Sequence, residues 1–267
     1  MLGIFREKLF ENRTAVITGG SSGIGLRIAE KLAAHGARVA LIGRSQEKLD
    51  RAVEVICSNG HSALGLAADV RDYEAVSHAI RQVHEALGKI DMLICGAAGN
   101  FPATALGMSA NGFKSVVDID LNGSFNTCRA AFEHLRKPAA AVVSISAVHA
   151  FRPLPLQAHV CAAKAGVDML SKVLALEWAS AGIRVNVVSP GPVDETEGMR
   201  RLTPSAESKK ALSETIPLRR YATKDEVADL VLYLCSDAAQ IITGAVFVCD
   251  GGMSLAGSAF PPAAAKT

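Results

Sequence analysis

Apolar runs alternate with segments of helical period along the chain. Seven runs of five or six residues are dominated by apolar side chains, many of them β-branched. Runs of this kind are typical of buried strands, and the 3.6-residue period of the segments between them predicts helices. The predicted strands are TAVIT (14–18), RVALI (38–42), ALGLAA (63–68), DMLIC (91–95), AVVSIS (141–146), RVNVVS (184–189) and AVFVC (245–249).

This alternation predicts one α/β domain over residues 1–267. Parallel strands need crossover connections, the crossovers are helices, and right-handed crossovers place them on both faces of the sheet. We therefore expect a Rossmann-like, doubly wound sheet of seven parallel strands with helices on both faces. Ligands of such sheets bind beyond the carboxyl ends of the strands, so the residues after each strand are the first candidates for a site.

Composition and charge argue against several classes of protein. Hydrophobic residues make up 49% of the chain, and the net charge is +2. The basic residues do not cluster as they do in proteins that bind nucleic acids or membrane surfaces. The longest uncharged run, 92–113, is broken by glycine and proline and predicts no membrane span. The cysteines form no CxxC pair, the histidines form no HExxH motif, and the N-terminus resembles no secretory signal. We expect no metal site and a protein that stays inside the cell.

A glycine-rich turn follows the first strand. In TGGSSGIG (18–25), Gly19 permits a tight turn, Gly23 lets backbone approach a pyrophosphate, and Gly25 allows close helix packing. The next helix, expected to begin near Ile24, offers free N–H groups and the positive end of its dipole. The turn predicts a dinucleotide site, the alternative being a strand-to-helix turn without a ligand.

The end of the second strand indicates which dinucleotide is bound. In LIGRS, Gly43 stands where an NAD-binding carboxylate would be, and Arg44 follows. A guanidinium group pairs well with a 2′-phosphate, so NADP(H) is the expected cofactor, unless Arg44 is only a solvated charge. After the third strand, Asp69 is a candidate to accept from the adenine amino group, to cap the helix that begins near Tyr73, or both.

Several motifs in order resemble those of the short-chain dehydrogenase/reductase family. They are the TGxxxGxG spacing, DV after the third strand, GAAG after the fourth, the AAKAG helix, IRVNVVSPGPV and TGAVFVCDGG, which together extend from about residue 12 to 253. The resemblance implies an oxidoreductase that assembles as a homotetramer. The cofactor-binding set is expected to comprise Gly19, Ser21, Ser22, Gly23, Ile24, Arg44, Asp69, Val70, Ala97, Lys164, Pro190, Gly191 and Val193.

The chain departs from the catalytic set of that family, which consists of a serine, a tyrosine, a lysine and an asparagine. Lys164 is present, but Val160 stands in place of the tyrosine and Ala147 in place of the serine. Neither side chain can donate a proton, so ordinary ketone reduction is not expected. Asp120 replaces the asparagine.

Asp120 is a candidate proton donor. Regular helical spacing places it beside Phe113 and Ser124 on an apolar arc, whereas Asp118 falls on the polar side. A buried or cleft-lining carboxyl group could hold a proton and donate it, directly or through water. The alternative is a structural carboxylate held by a backbone amide or by Lys164.

These departures resemble the 2,4-dienoyl-CoA reductases, in particular the peroxisomal-type branch. The matching segments are CGAAGNF, MSANGFKSVVDIDLNGSFN, LQAHVCAAKAGVDML and PGPVDETEGMRRL. The resemblance implies NADPH-dependent reduction of a 2,4-dienoyl-CoA thioester to a 3-enoyl-CoA in unsaturated fatty acid β-oxidation, with Asp120 and Lys164 as catalytic residues. The implied substrate contacts are Arg71, Phe101, Ser109, Ala110, Asn111 and Arg201.

Two other functions remain open. Lys164 and Asp120 would also suit a reductase of another thioester, such as a 2-enoyl-CoA, and loss of the serine and tyrosine would suit a non-catalytic NADP(H)-binding homologue. We expect residues 190–215 to form a mobile substrate lid and 254–267 a C-terminal tail. Because the chain ends in AKT and not in an SKL-type signal, a cytoplasmic location is expected.

Overall fold

The computed structural model describes residues 5–256 and arranges the seven strands in one parallel sheet. Their order across the sheet is β3-β2-β1-β4-β5-β6-β7. Each strand matches its predicted run to within one residue at either end, which confirms the predicted doubly wound sheet. The strands are β1 (Thr14–Thr18), β2 (Arg38–Gly43), β3 (Ala63–Ala67), β4 (Met92–Cys95), β5 (Ala141–Ile145), β6 (Arg184–Pro190) and β7 (Val246–Cys249).

Helices cover both faces of the sheet and enclose two apolar cores. One core joins the sheet to α1, α2 and α9, and the other joins it to α3, α5 and α6. Successive strand residues point to opposite faces, so Ile17 enters the first core and Val16 the second. The helices are α1 (Gly23–Ala34), α2 (Gln46–Ser58), α3 (Tyr73–Leu87), α4 (Ala110–Val117), α5 (Gly123–Ala131), α6 (Ala158–Trp178), α7 (Glu197–Leu202), α8 (Ala206–Thr215) and α9 (Lys224–Cys235).

The strand order reverses between β1 and β4, which are hydrogen-bonded neighbours in the sheet. Chain segments leaving these two strands diverge, and the crevice between them is the usual ligand site of such sheets. The backbones come very close here, since a Cβ atom on Gly19 would lie 2.7 Å from the carbonyl oxygen of Gly96. Gly19 also has a φ of +71°, so this turn needs glycine on two counts.

The start of α3 corrects one expectation. The helix begins at Tyr73 as predicted, but its N-cap is Asp72, whose side chain accepts from the backbone N–H of Ala75. Asp69 instead accepts from the backbone N–H of Arg71. The expectation that Asp69 caps α3 is therefore wrong, because the chain makes one further turn before the helix begins.

A π-helical turn over Asp118–Asn122 joins α4 to α5 and corrects the predicted apolar arc. The wider turn accommodates one extra residue, which rotates the preceding positions by about 100° relative to a regular helix. Phe113, expected on the buried arc, is therefore 40% exposed, and Val116 is buried in its place. Beyond the turn the expectation holds, since Ser124 is buried.

The predicted lid, residues 190–215, contains the short helices α7 and α8. Thr196 caps α7, accepting from the backbone N–H of Met199, and Ser205 forms a capping box with Ser208 on α8. The mobility of this segment stays a prediction. Of the predicted tail, residues 257–267 lie outside the described residues.

Within residues 5–256, no helix combines the length and the hydropathy that crossing a bilayer requires. In the same part of the chain, no three histidine, cysteine, aspartate or glutamate side chains gather closely enough to hold a metal ion.

Candidate active site

A cleft of about 640 Å³ opens beyond the carboxyl ends of β1, β2 and β4. The sequence-predicted cofactor residues Gly191 and Val193 lie outside it and line an adjoining cavity. The rest of the predicted set lines the cleft itself: Gly19, Ser21, Ser22, Gly23, Ile24, Arg44, Asp69, Val70, Ala97, Lys164 and Pro190.

The glycine-rich wall of this cleft fits a dinucleotide pyrophosphate. A Cβ atom on Gly23 would have no atom within 4 Å, so its backbone faces open space, whereas one on Gly25 would lie 2.4 Å from the Gly19 carbonyl oxygen. Ser22 is the N-cap of α1 but makes no capping hydrogen bond with its side chain. The first N–H groups of α1 therefore stay available to an anion, and the positive end of the helix dipole favours one.

Basic side chains lie where the second strand meets the cleft. Arg44 is exposed at the end of β2, and Lys48, which the sequence reading missed, lines the same wall from the first turn of α2. The signal for Lys48 was its place in the first turn of the helix that follows the second strand, close to the sheet edge where ligands bind.

Asp69 lies beside these cations in the same wall. Arg71 Nη2 lies 2.6 Å from Asp69 Oδ2, and this contact holds the pKa of the Asp69 carboxyl below its usual range. Arg71 was predicted to contact the substrate, but it lines neither the cleft nor the adjoining cavity. Its guanidinium group pairs with Asp69 instead.

A second cavity, of about 490 Å³, adjoins the cleft. Ile24, Lys164 and Pro190 are among the residues that line both spaces. Ala147 and Val160, which replace the family serine and tyrosine, line the second cavity, so neither position provides a hydroxyl group there. Its walls are mostly apolar, with side chains such as Val148, Leu154, Leu156, Leu202 and Met253.

Asp120 and Lys164 form a buried ion pair in the wall of this cavity. Asp120 Oδ1 accepts from the backbone N–H of Gly99 at 2.7 Å. Asp120 Oδ2 lies 3.1 Å from Lys164 Nζ, but the angles are outside those of a hydrogen bond, and no group within residues 5–256 donates to this oxygen. Lys164 Nζ itself donates to the carbonyl oxygen of Ile145 at 2.9 Å.

This geometry combines two of the roles expected for Asp120. The carboxylate has both structural contacts foreseen for it, a backbone amide and Lys164. It also lines the cavity and keeps one oxygen without a hydrogen-bond donor. A buried charged group is stable only when it is paired, and each of these two side chains supplies the partner of the other, while the remaining N–H groups of Lys164 can reach a ligand.

Three predicted substrate residues lie at the start of α4, outside the cavity walls. Ser109 is the N-cap of that helix, and its hydroxyl accepts from the backbone N–H of Gly112. Ala110 and Asn111 follow in the first turn and are exposed. The structure therefore does not bring these side chains together with Asp120 and Lys164.

The other two predicted substrate residues lie closer to the cavity. The rings of Phe101 and His159 pack edge to face with centroids 4.4 Å apart. Arg201 pairs with Glu197 at 2.9 Å, and its Nη1 lies 3.5 Å from the carbonyl oxygen of Asn100, which lines the cavity. Phe101 and Arg201 thus contact residues near the cavity but do not form its walls.

The sequence reading missed Gln157. This residue is 1% exposed and lines the same cavity as Lys164. Gln157, Val160 and Lys164 recur at helical spacing and form one face at the start of α6, so extending that face backwards from the lysine would have found it.

Histidines also occur beside this face of α6. Burial, and then the charge of Lys164, lowers the pKa of His149, which lines the cavity. His159 is fully buried, and neither ring nitrogen has a hydrogen-bond partner in the described part of the chain.

Comparison with known proteins identifies the family. Residues 19–254 match the family model described as enoyl-(acyl carrier protein) reductase, whose members are short-chain dehydrogenases/reductases. The chain belongs to the short-chain dehydrogenase/reductase family. It is therefore an oxidoreductase that uses a nicotinamide cofactor.

Three curated relatives match nearly the whole chain. The peroxisomal 2,4-dienoyl-CoA reductase of Saccharomyces cerevisiae, named as (3E)-enoyl-CoA-producing, is 41% identical over 262 residues, 97% of this chain and 89% of that protein. The Rattus norvegicus enzyme of the same description is 44% identical over 253 residues, 93% of this chain and 86% of that protein. A probable 2,4-dienoyl-CoA reductase of Bacillus subtilis, named as (2E)-enoyl-CoA-producing, is 38% identical and covers 92% of this chain and 98% of that protein.

Solved structures agree with the fold. Levodione reductase superposes with a TM-score of 0.89 at 30% identity, over 93% of this chain and 100% of that one. A citronellol catabolism dehydrogenase of Pseudomonas aeruginosa PAO1 superposes with a TM-score of 0.84 at 34% identity, over 94% of this chain and 99% of that one. Both are similar to this protein over the sheet and the helices on its two faces.

Proposed function

We propose that this protein reduces 2,4-dienoyl-CoA thioesters to 3-enoyl-CoA with NADPH. The observation that carries the proposal is the Lys164–Asp120 pair at the junction of the cofactor cleft and an apolar cavity, with Val160 and Ala147 in place of the family tyrosine and serine. The yeast and rat relatives, which are named for this reaction, support it.

The chemistry explains why no tyrosine is needed. The bound cofactor supplies a hydride. Addition of a hydride at the δ carbon of a dienoyl thioester spreads negative charge along the conjugated chain to the thioester oxygen. No alkoxide forms at the carbon under attack, so no phenol is needed to protonate one. A proton must then reach the α carbon to leave a double bond at the 3 position.

The two buried side chains suit the remaining tasks. Lys164, held by the Ile145 carbonyl oxygen, fixes a positive charge beside the conjugated carbons over which the negative charge spreads. Asp120, with Oδ2 lacking a donor, can hold a proton or a water molecule beside the cavity. The apolar walls exclude bulk water and strengthen both effects.

The decisive assay measures NADPH oxidation with trans-2,trans-4-hexadienoyl-CoA and trans-2,trans-4-decadienoyl-CoA, beside the matching 2-enoyl-CoA thioesters. We expect turnover of the dienes and little of the enoyl substrates, with product NMR locating the double bond at the 3 position. A product with its double bond at the 2 position would match the name of the Bacillus subtilis relative instead. Tight NADPH binding without turnover of any thioester would favour a non-catalytic role.

Arg44 is expected to select NADPH over NADH. Replacing Arg44 by alanine removes a charged partner for the 2′-phosphate, and such a contact is worth about 1.5–3 kcal/mol, or about 10- to 100-fold in affinity. We expect kcat/KM for NADPH to fall by that factor while kcat/KM for NADH changes little. Arg51→Ala on the exposed side of α2 is the control. Equal losses of kcat/KM with NADPH and NADH would show that Arg44 does not contact the 2′-phosphate.

We also propose the homotetramer that the family resemblance implies. Large apolar side chains stand on the outer faces of α5 and α6, where a second copy could cover Phe125, Met169 and Leu176. A cytoplasmic location stays a prediction.

A further inference from the structure

Gln157 is a buried amide without a partner. Its side chain lies at the N-cap of α6, is 1% exposed, and lines the apolar cavity beside the cofactor cleft. Neither Oε1 nor Nε2 makes a hydrogen bond within residues 5–256. The cap position does not employ it either, since the Gln157 side chain makes no capping hydrogen bond.

Such a group is costly to the ligand-free protein. A buried polar group that loses its hydrogen bonds to water and gains none in the fold destabilises the folded state, and most buried amides are therefore paired. The residue immediately before it adds strain, because Leu156 has a φ of +69°, a conformation that branched side chains rarely adopt. Unpaired polar groups and strained backbone together are typical of a ligand site, where a bound molecule completes the hydrogen bonds.

The position of Gln157 limits what that molecule presents to it. Gln157, Val160 and Lys164 line one cavity from one helix face, and Gln157 lies about 10 Å along the helix axis from Lys164. When the reacting carbons of a dienoyl thioester lie near Lys164, either its hydrocarbon tail or its thioester group can face Gln157. If the hydrocarbon tail faced Gln157, the amide would stay unpaired. If the thioester faced Gln157, the Nε2–H group could donate a hydrogen bond to the thioester carbonyl oxygen, which is the only carbonyl oxygen of the acyl group.

We propose that the Gln157 carboxamide donates a hydrogen bond to the thioester carbonyl oxygen of the substrate and thereby sets the direction in which the acyl chain enters the cavity. This inference rests on the proposed function. A donor at this oxygen also stabilises the negative charge that arrives there after hydride addition, so its effect is greater in the transition state than in the bound substrate.

The test is Gln157→Met, which keeps the length of the side chain and removes the amide. We expect kcat/KM for trans-2,trans-4-hexadienoyl-CoA to fall about 10- to 100-fold, mostly through kcat, with NADPH affinity unchanged. The melting temperature of the ligand-free protein should stay the same or rise, because the variant removes an unpaired buried amide. A structural role would predict the opposite, a lower melting temperature.

A spectroscopic measurement isolates the hydrogen bond itself. A donor at the thioester oxygen shifts the ultraviolet absorption of a bound dienoyl-CoA to longer wavelength, and the complex with NADP+ allows this to be recorded without turnover. We expect the shift in the unaltered protein and in Gln82→Met, a surface control on α3, and its loss in Gln157→Met. An unchanged shift in Gln157→Met would overturn the inference.

Failure of this inference differs from failure of the proposed function. If the unaltered protein turns over dienes and Gln157→Met retains its kcat/KM, the carboxamide does not bind the thioester and the reductase proposal stands. If the unaltered protein neither turns over nor shifts the spectrum of any dienoyl-CoA, the proposed function itself is wrong. If Gln157→Met melts lower and binds NADPH weakly, Gln157 is structural.

Discussion

Asp120→Asn is expected to lower the turnover of dienoyl-CoA by at least about 100-fold, the usual contribution of a positioned general acid. Asparagine keeps an oxygen that can accept from the Gly99 N–H, so the turn after β4 should stay in place. It has no carboxyl proton to donate and no negative charge to hold one. NADPH oxidation with trans-2,trans-4-hexadienoyl-CoA measures the loss, and fluorescence titration with NADPH should show nearly unchanged binding.

Asp118→Asn is the matched control for this change. Asp118 lies two residues earlier in the same π-helical turn, where it pairs with Lys114 and accepts from Asn122. Asp118 lines neither the cleft nor the apolar cavity, so it cannot donate to a ligand there, and the neighbouring Lys114 holds its pKa below the usual range. We expect Asp118→Asn to retain activity. Full activity in Asp120→Asn would instead assign Asp120 to structure alone.

The parts of the fold that depend on local sequence were predictable. The five inner strands are short runs buried on both faces, so their apolar residues are contiguous, and the boundaries of all seven strands could be identified to within one residue. The glycine-rich turn that lines the cleft was also predictable, because Gly19, Gly23 and Gly25 are required by backbone geometry within a single turn. Arg44 follows a strand directly, so its position at the sheet edge needed no tertiary information.

The parts that depend on departures from regular geometry were not predictable. Nothing in DIDLN distinguishes a π-helical turn from an α-helical one, so Phe113 was placed on the wrong face while Asp120, within the turn, was still placed correctly as buried. The N-cap of α3 was predicted at Asp69 but is Asp72, because the two aspartates stand three residues apart and have equal capping propensity. Gln157 was missed because an amide between a loop and a helix is ordinary in sequence, and its burial without a hydrogen-bond partner is visible only in the fold.

Lys164→Met is expected to weaken both NADPH binding and turnover. Lys164 lines the cofactor cleft and the apolar cavity together, so its ammonium group is placed to serve both ligands. Methionine preserves the apolar stem and removes the positive charge, and we expect turnover to fall by at least about 100-fold. Titration with NADPH and the dienoyl-CoA assay measure the two effects. Lys172→Met, an exposed position on α6, should change neither.

Lys164→Met should also lower the stability of the fold, and this loss tests the Asp120–Lys164 ion pair independently of catalysis. Without Lys164, Asp120 stays buried with only the Gly99 N–H, and breaking a buried pair on one side costs about 3–5 kcal/mol. In a domain of this size, that corresponds to a melting temperature lower by about 10 °C. The double variant Asp120→Asn/Lys164→Met removes both charges, so it should recover most of this loss while remaining inactive. If the losses of the single variants simply add in the double variant, Asp120 and Lys164 are not coupled, and the contact of 3.1 Å between them stabilises nothing.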